Sequence, residues 1–309
     1  MKKVGFIGLG LMGRGMAANI QKAGYDMVVH DLFADAAGPY LEKGASWAET
    51  PLALAKACDV VFTSLPTPAD VEKVGFGESG LAAGFKQGAA WFDLSTNSVE
   101  VVRRLNAALA GQDVAFLDAP VSGGPAGAAS GKLAIWVGGD KAVYDSHEKL
   151  LKAMADKARY IGTIGAGSIA KLVHNCASAG LAALLSEVFT MGIKAGVEPL
   201  PLYEAIRQGA TGRMRTFDVI GSRFLPGDFE QASFALRLVH KDVSLGAQLG
   251  RDFKVPMRIT NLVLEDLTEA LNRGMATWDS KSVFVLQRER AGIAPFKVPA
   301  NDIRAVEQG

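Results

Sequence analysis

The sequence is poor in the residues that hold secreted or metal-dependent folds together. Its two cysteines, Cys58 and Cys176, stand far apart with no Cys-x-x-Cys spacing. That excludes a disulfide framework and a thiolate zinc site, and both thiols are expected to be ordinary buried side chains in a reducing compartment. The four histidines, His30, His147, His174 and His240, form no His-Glu-x-x-His pattern. No carboxylate cluster stands at ligand spacing either, so no catalytic metal is expected. Excess charge is lacking as well: 33 Lys and Arg oppose 32 Asp and Glu. There is no global field to attract nucleic acid or an anionic membrane. No stretch reaches the roughly 18 unbroken apolar residues of a membrane helix. The start, Met1-Lys2-Lys3 followed by Val4 to Met12, looks superficially like a short signal peptide. Glycines at 5, 8, 10 and 13 interrupt it, and no small-residue cleavage site follows. A cytoplasmic protein is expected, with neither nucleic acid nor membrane as partner.

What is present is a large apolar fraction, 49% of 309 residues, enough for a substantial core and a length that suggests two domains. The first half alternates short β-branched runs with helical patterns. Lys3 to Ile7, Asp26 to His30, Val60 to Thr63, Ala90 to Asp93, Val114 to Leu117 and Leu133 to Val137 read as strands. Met12 to Lys22, Ala34 to Lys43 and Val143 to Met154 read as helices. Such alternation means βαβ units and a mostly parallel sheet, with Arg159-Tyr160-Ile161 as a final edge strand. After Gly162 the pattern changes. A run without proline, Ile169 to Ala195, carries helical spacing, with Ser168 as its N-cap and Gly196 as its stop. From there to about Arg290 helix signals dominate, broken at Pro199-Leu200-Pro201, Pro226-Gly227-Asp228 and Pro256. The polar tail after Pro299 is expected to be loose.

Gly8-Leu9-Gly10-Leu11-Met12-Gly13 follows the first strand and opens the first helix. The first glycine permits the tight turn and the second lets a pyrophosphate approach the backbone. The third permits close helix–strand packing, and the free N–H groups of the helix start hold phosphate oxygens. Asp31 ends the second strand, 18 positions after Gly13. A carboxylate there accepts hydrogen bonds from a ribose 2′-hydroxyl and repels a 2′-phosphate. Leu32 and Phe33 beside it offer no cation, so NAD is favoured, with NADP left open. The fold class is therefore α/β, with a Rossmann-type dinucleotide-binding domain over residues 1–164. An all-α domain over residues 165–309 is joined to it by the long helix.

Further segments point to an enzyme. Asp118-Ala119-Pro120-Val121-Ser122-Gly123-Gly124 ends a strand, where open α/β sheets place ligands, and glycines after a serine can present N–H groups to a carboxylate. Asp93-Leu94-Ser95-Thr96 offers two hydroxyls at the same edge. Gly165-x-Gly167-x-x-x-Lys171-x-x-x-Asn175 opens the long helix and puts Lys171 and Asn175 on one face. Lys241-Asp242 lies in a later helix.

Together these segments closely resemble the 3-hydroxyisobutyrate dehydrogenase family, the β-hydroxyacid dehydrogenases that include tartronate semialdehyde reductases. The resemblance runs from about Lys3 to Arg290, beginning with Phe6-Ile7-Gly8-Leu9-Gly10-Leu11-Met12-Gly13-x-x-Met16-Ala17-x-Asn19. It implies that Lys171 is the catalytic lysine and that Ser122, Gly123, Gly124 and Asn175 hold substrate. Gly8 to Gly13, Asp31, Leu65-Pro66 and Thr96 would form the cofactor site, with Lys241 reaching it from the second domain. Gly212-Arg213-Met214-Arg215 and Arg237 fall in regions where members vary, so the resemblance does not identify the substrate. One of these arginines could bind a second acidic terminus on it, or all three could be solvated helix charges.

The chemistry suits the residues. Oxidising an alcohol requires its O–H to lose a proton as its C–H gives up hydride. A lysine lowered toward about 7–8 by burial can serve in both directions, and its charged form steadies a developing alkoxide. His174 precedes Asn175 and points about 100° from it, which sets the histidine aside. The expected activity is hydride transfer between NAD and a small 3-hydroxy carboxylate or its semialdehyde. Alternatives are an NADPH-dependent reductase of glyoxylate or succinic semialdehyde and a non-catalytic dinucleotide sensor. Apolar runs at Ile259 to Leu271 and Val283 to Leu286 suggest subunit contacts, hence a homodimer or homotetramer.

Overall fold

The structure is a computed structural model that describes the backbone of residues 2–215, 218–232, 235–252 and 254–308. Within these segments, side chains at 176–180, 182–183, 186–187, 190, 199–200, 204, 238, 241–242, 245–246, 248–249, 252 and 306–308 lie outside the described set. The chain divides into two compact units, Met1–Ala177 and Ser178–Gly309.

The first unit alternates strands and helices. In chain order these are β1 (Val4–Ile7), α1 (Gly13–Lys22), β2 (Met27–His30), α2 (Gly38–Leu41), β3 (Ser46–Trp47), α3 (Pro51–Ala57), β4 (Val60–Thr63), α4 (Pro68–Phe76) and β5 (Ala90–Asp93). Then follow α5 (Val99–Leu109), β6 (Ala115–Asp118), β7 (Val121–Ser122), α6 (Gly124–Ser130), β8 (Leu133–Gly138), α7 (Lys141–Leu151), β9 (Ala155–Gly162) and α8 (Ala166–Lys194), which continues past Ala177. The strands form one sheet in the order β3-β2-β1-β4-β5-β6-β8-β7, with β9 on β8. Pairing is parallel from β3 to β6, and β8 runs antiparallel to β6 and β7. Between β1 and β4 the strand order reverses direction, and such a switch point opens a crevice at the carboxyl ends of the strands.

Every residue of β1, β2, β4 and β5 is buried, as a parallel sheet covered on both faces requires. Because strand side chains alternate, the same strands feed two cores. Phe6, Phe62 and Phe92 are register partners, and their rings stack at 6.2 and 5.4 Å on the face shared with Met16 and Ile20. Ile7, Val61, Trp91 and Phe116 face the other way, onto Leu54, Val102 and Leu105.

The second unit contains α9 (Pro199–Gln208), α10 (Ala210–Arg213), α11 (Leu236–Asp252), α12 (Arg258–Asn272), α13 (Val283–Arg290) and α14 (Ala300–Gln308). Its core is built from Phe229, Leu236, Leu267, Ala270, Met275, Val285 and Leu286. Among the described residues no helix is long and apolar enough to cross a membrane.

Several local expectations are corrected. Ser168 does not cap α8, which begins two residues earlier at Ala166. The helix expected over 34–43 breaks into a 3-10 turn, Ala34–Ala37, and the short α2, because Pro39 cannot donate its place in a continuous helix. Pro199 opens α9 instead of breaking the chain, since the first helical turn tolerates a missing N–H. The tail after Pro299 is helical, with Ile303 buried. The edge strand β9 runs over Ala155–Gly162, longer than the expected Arg159 to Ile161, because pairing with β8 along its length extends it past the apolar residues.

The third loop glycine is sterically required: a Cβ on Gly13 would lie 1.7 Å from the Gly8 carbonyl oxygen. Gly13→Ala is therefore expected to cost about 1–3 kcal/mol by overpacking and to lower Tm measurably. An unchanged calorimetric Tm would mean that the loop gives way freely.

Candidate active site

The glycine loop leaves β1 at Gly8, whose N–H donates to the His30 carbonyl at 3.1 Å. Gly8 has φ +96°, and a Cβ there would approach the Ser64 oxygen to 2.3 Å, so β1 and β4 are held too close for a side chain. At Gly10 an added Cβ would meet nothing within 4 Å. That open space beside an α-helix start is where a pyrophosphate would fit. Asp31, just past β2, accepts the Leu9 N–H at 2.6 Å and the Phe33 N–H at 3.0 Å, so its carboxylate is fixed against the loop. Leu32 and Phe33 are 86% and 76% exposed, and Leu11 on the loop is also exposed, so no cation adjoins that carboxylate in the sequence.

A cleft of about 380 Å³ opens at the carboxyl edge of the sheet. Met12 lines it from the glycine loop, with Ser64, Leu65 and Pro66 following β4 and Leu94, Ser95 and Thr96 following β5. Val121, Ser122, Gly123 and Gly124 contribute from β7 and the start of α6, and Lys171 and His174 from α8. The loops after β4 and β5 are tied together, the Leu65 N–H donating to Ser95 Oγ at 2.9 Å. Beneath them Asp93 is buried and accepts from Thr63 Oγ1, the Ser95 N–H and Asn97 Nδ2 at 2.9, 3.2 and 3.0 Å. Burial raises the pKa of Asp93, and those three donors oppose the rise.

Lys171 owes its place to the seating of α8. The buried Asp118, at the end of β6, accepts the Gly165 N–H at 2.8 Å and the Ser168 N–H at 2.6 Å. Gly167 has no room for a side chain, since its Cβ would lie 2.3 Å from the Trp136 carbonyl oxygen. The two glycines before Lys171 thus serve the approach of helix to sheet. One turn on, Lys171 Nζ donates to the Val121 carbonyl at 2.7 Å. The lysine is half-buried, and burial pushes its pKa below the ordinary lysine value.

His174 stands in the cleft as well. Its Nε2 is 3.4 Å from Ser122 Oγ, its ring centroid 5.3 Å from that of Trp136, and its Nδ1 3.2 Å from Asn175 Oδ1. The angle of about 100° separates it from Asn175 alone. Measured from Lys171 it is three residues on, and that spacing also shares a face. Asn175 is exposed, and its Oδ1 lies against His174 Nδ1. Ser64, Leu94 and the Val121 carbonyl stand at the site as well, with no role expected of them from sequence. The first two follow strands β4 and β5 directly, and strand-end positions at a switch point are the signal that would have found them.

The remaining expected residues belong to the second unit. Lys241 is in α11, and its side chain and that of Asp242 fall outside the described residues. Arg213 ends α10, Arg215 follows it and Arg237 is in the first turn of α11, all three exposed. Among the described residues no group of three or more His, Cys, Asp or Glu could hold a metal ion. Burial pushes the Cys58 thiol up to about 12, which keeps it unreactive, and the Cys176 side chain is outside the described residues.

Comparison with known proteins gives two family matches that together span most of the chain. Residues 3–165 match the NAD binding domain of 6-phosphogluconate dehydrogenase. Residues 165–286 match the NAD-binding domain of NADP-dependent 3-hydroxyisobutyrate dehydrogenase. A 2-(hydroxymethyl)glutarate dehydrogenase of Eubacterium barkeri is 31% identical over 293 residues, 94% of this chain and 97% of that protein. The mitochondrial 3-hydroxyisobutyrate dehydrogenase of Mus musculus is 31% identical over 294 residues, 93% of this chain and 87% of the mouse protein. Among solved structures, 3-hydroxyisobutyrate dehydrogenase of Mycobacterium tuberculosis with L-serine superposes with a TM-score of 0.65 at 27% identity. That match covers 93% of this chain and 99% of the other.

Proposed function

The chain belongs to the 3-hydroxyisobutyrate dehydrogenase family, and from that membership we propose that it oxidises a small 3-hydroxy carboxylate, or reduces the semialdehyde, with Lys171 moving the proton. The observation that carries the reading is one cleft that joins the glycine loop's Met12, the Ser122-Gly123-Gly124 segment and Lys171. A nicotinamide dinucleotide bound there supplies or takes up the hydride. The residues fit such a group: open space at Gly10 beside the start of α1 and the fixed Asp31 carboxylate. Asp31 favours NAD over NADP.

The chain's own residues handle the proton and the substrate's charge. In oxidation, neutral Lys171 takes the proton from the substrate hydroxyl. In reduction, the ammonium returns it to the carbonyl oxygen and offsets the charge that develops there. The Val121 carbonyl holds one N–H of Lys171 and so fixes where Nζ stands. Ser122 Oγ and the Gly123 and Gly124 amides would receive the substrate carboxylate, with His174 beside them and Asn175 behind His174. Orienting the carboxylate sets the reacting carbon relative to Lys171.

The lowered pKa of Lys171 gives a signed prediction. Oxidation needs the neutral amine, so its rate should rise with pH through an inflection below the ordinary lysine value of 10.5. Reduction needs the ammonium and should fall through the same inflection. Opposed pH–rate profiles check this, and parallel profiles would assign the inflection to another group. Ser122→Ala should raise KM for the hydroxy acid about ten- to a hundredfold, the loss of one hydrogen bond to a charged group. Its NADH Kd should stay unchanged by fluorescence titration.

The decisive experiment is a panel of hydroxy acids and semialdehydes assayed with both cofactors. Turnover of none with either cofactor overturns the reading. The functional division is placed at 164/165, residues 1–164 binding dinucleotide and 165–309 serving substrate and assembly. The protein is proposed to act in the cytoplasm as a homodimer or homotetramer. Leu262 and Val263 on α12 support subunit contact, being 62% and 39% exposed.

A further inference from the structure

Asp118 carries no role in the proton transfer or substrate binding just described, yet it is buried to 1% exposure at the carboxyl end of β6. An ionised carboxylate survives such burial only with donors directed at it. Burial raises the Asp118 pKa, and donors at the start of α8 oppose the rise, Gly165 N–H on Oδ1 and Ser168 N–H on Oδ2 foremost. The fit leaves no slack. A Cβ on Gly138 would sit 2.5 Å from Asp118 Oδ1, and one on Gly167 would sit 2.6 Å from the Asp118 carbonyl oxygen. Three residues along the chain from Asp118, Val121 accepts Lys171 Nζ. The single segment 118–121 therefore grips α8 twice, by its amides and by its lysine. Asp118 is also the register partner of Asp93, which performs the matching service for the loop after β5.

We propose that Asp118 is a positioning residue for Lys171, its carboxylate fixing the start of α8 so that the lysine amine stands half-buried in the cleft against the Val121 carbonyl. This rests on the reading of Lys171 as the proton carrier. Both oxygens of a carboxylate accept, whereas an asparagine accepts at one oxygen and presents an N–H₂ where the second amide N–H points. Asp118→Asn thus opposes two donors, and α8 must shift its first turn to relieve them. Lys171 follows that turn, loses the Val121 carbonyl and gains water. Since burial is what lowers the lysine's pKa, gaining water restores it upward. His174 is the other titratable group lining the cleft, and it lies on the same helix, so it moves with Lys171.

The test compares the wild type, Asp118→Asn and Lys171→Ala as full chains. NADH binding is measured by fluorescence titration, and kcat for hydroxy acid oxidation is followed across pH. Asp118→Asn should lower kcat at neutral pH at least tenfold and move its inflection upward by about one pH unit or more, with the NADH Kd unchanged within twofold. A merely structural role would reduce the active fraction and Tm alone, leaving the inflection where it was, and that result overturns the proposal. Should Asp118→Asn fail to fold, Asp118→Ser, which keeps one acceptor and adds no opposed N–H₂, is measured in the same way and judged by the same inflection. Failure of the underlying reading is distinguishable: Lys171→Ala would then retain near-normal turnover whatever Asp118→Asn does.

Discussion

Replacing Lys171 by alanine should lower kcat by about 10²–10⁴-fold, the range that a positioned acid–base group contributes, while NADH binds with unchanged Kd. In free energy that is about 3–5 kcal/mol of lost barrier reduction. The split follows from where the parts stand. The residues proposed to hold the cofactor come from the loops after β1, β2, β4 and β5, whereas the lysine comes from α8, and its hydrogen bond is to Val121. Truncation leaves that carbonyl facing an open cleft, where water can replace the ammonium, so the fold should tolerate it. Lys171→Arg sharpens the test, because a guanidinium keeps the charge but does not deprotonate in proteins. It should fail in oxidation as alanine does while retaining more of the reduction. Near-normal turnover in both variants would remove Lys171 from the chemistry.

The second large effect concerns the cofactor. Asp31→Ser with Leu32→Arg should move the ratio of kcat/KM for NAD over NADP by about a hundredfold toward NADP. The change deletes a repulsive carboxylate and adds a phosphate partner, each worth roughly one charged hydrogen bond. Leu32 is suited to the second change, since at 86% exposure it can become arginine without disturbing the core. Serine is preferred to alanine at position 31 because the native carboxylate accepts both the Leu9 and Phe33 N–H groups. A hydroxyl retains one acceptor and keeps the loop from losing both. A wild-type protein that already prefers NADP would refute the assignment of Asp31.

Much of the first unit was legible because parallel strands buried on both faces write themselves as short apolar runs. β4 and β5 lie at the expected residues, and β1, β2 and β6 differ by one residue at their ends. The two-residue strands β3 and β7 carry no period to read, and they exist through pairing with β2 and β8. The start of α8 was misread at Ser168 because a capping serine is a local signal. The acceptor that satisfies those amides is Asp118, 47 residues before Gly165. His174 was set aside for a related reason. Helical angles say which residues share a face, but which face meets Ser122 is decided by how the helix seats on the sheet. Residues whose role depends on backbone atoms, such as the Val121 carbonyl, leave no trace in side-chain pattern at all.

Where the cleft's parts are carried has a consequence for how such a protein can change over generations. Ser64, Leu65 and Pro66 begin directly past β4, and Leu94, Ser95 and Thr96 directly past β5. None of these six belongs to a strand; Leu94 and Leu65 still pack on the two cores, but Pro66 and Thr96 are exposed and can be replaced without touching the stacked Phe6, Phe62 and Phe92. Selection for a new substrate can therefore act on loops at little cost in stability. Lys171 has no such freedom, since it is bound by the helix that carries it. A lineage built on this plan should diversify in what it recognises sooner than in how it moves the proton.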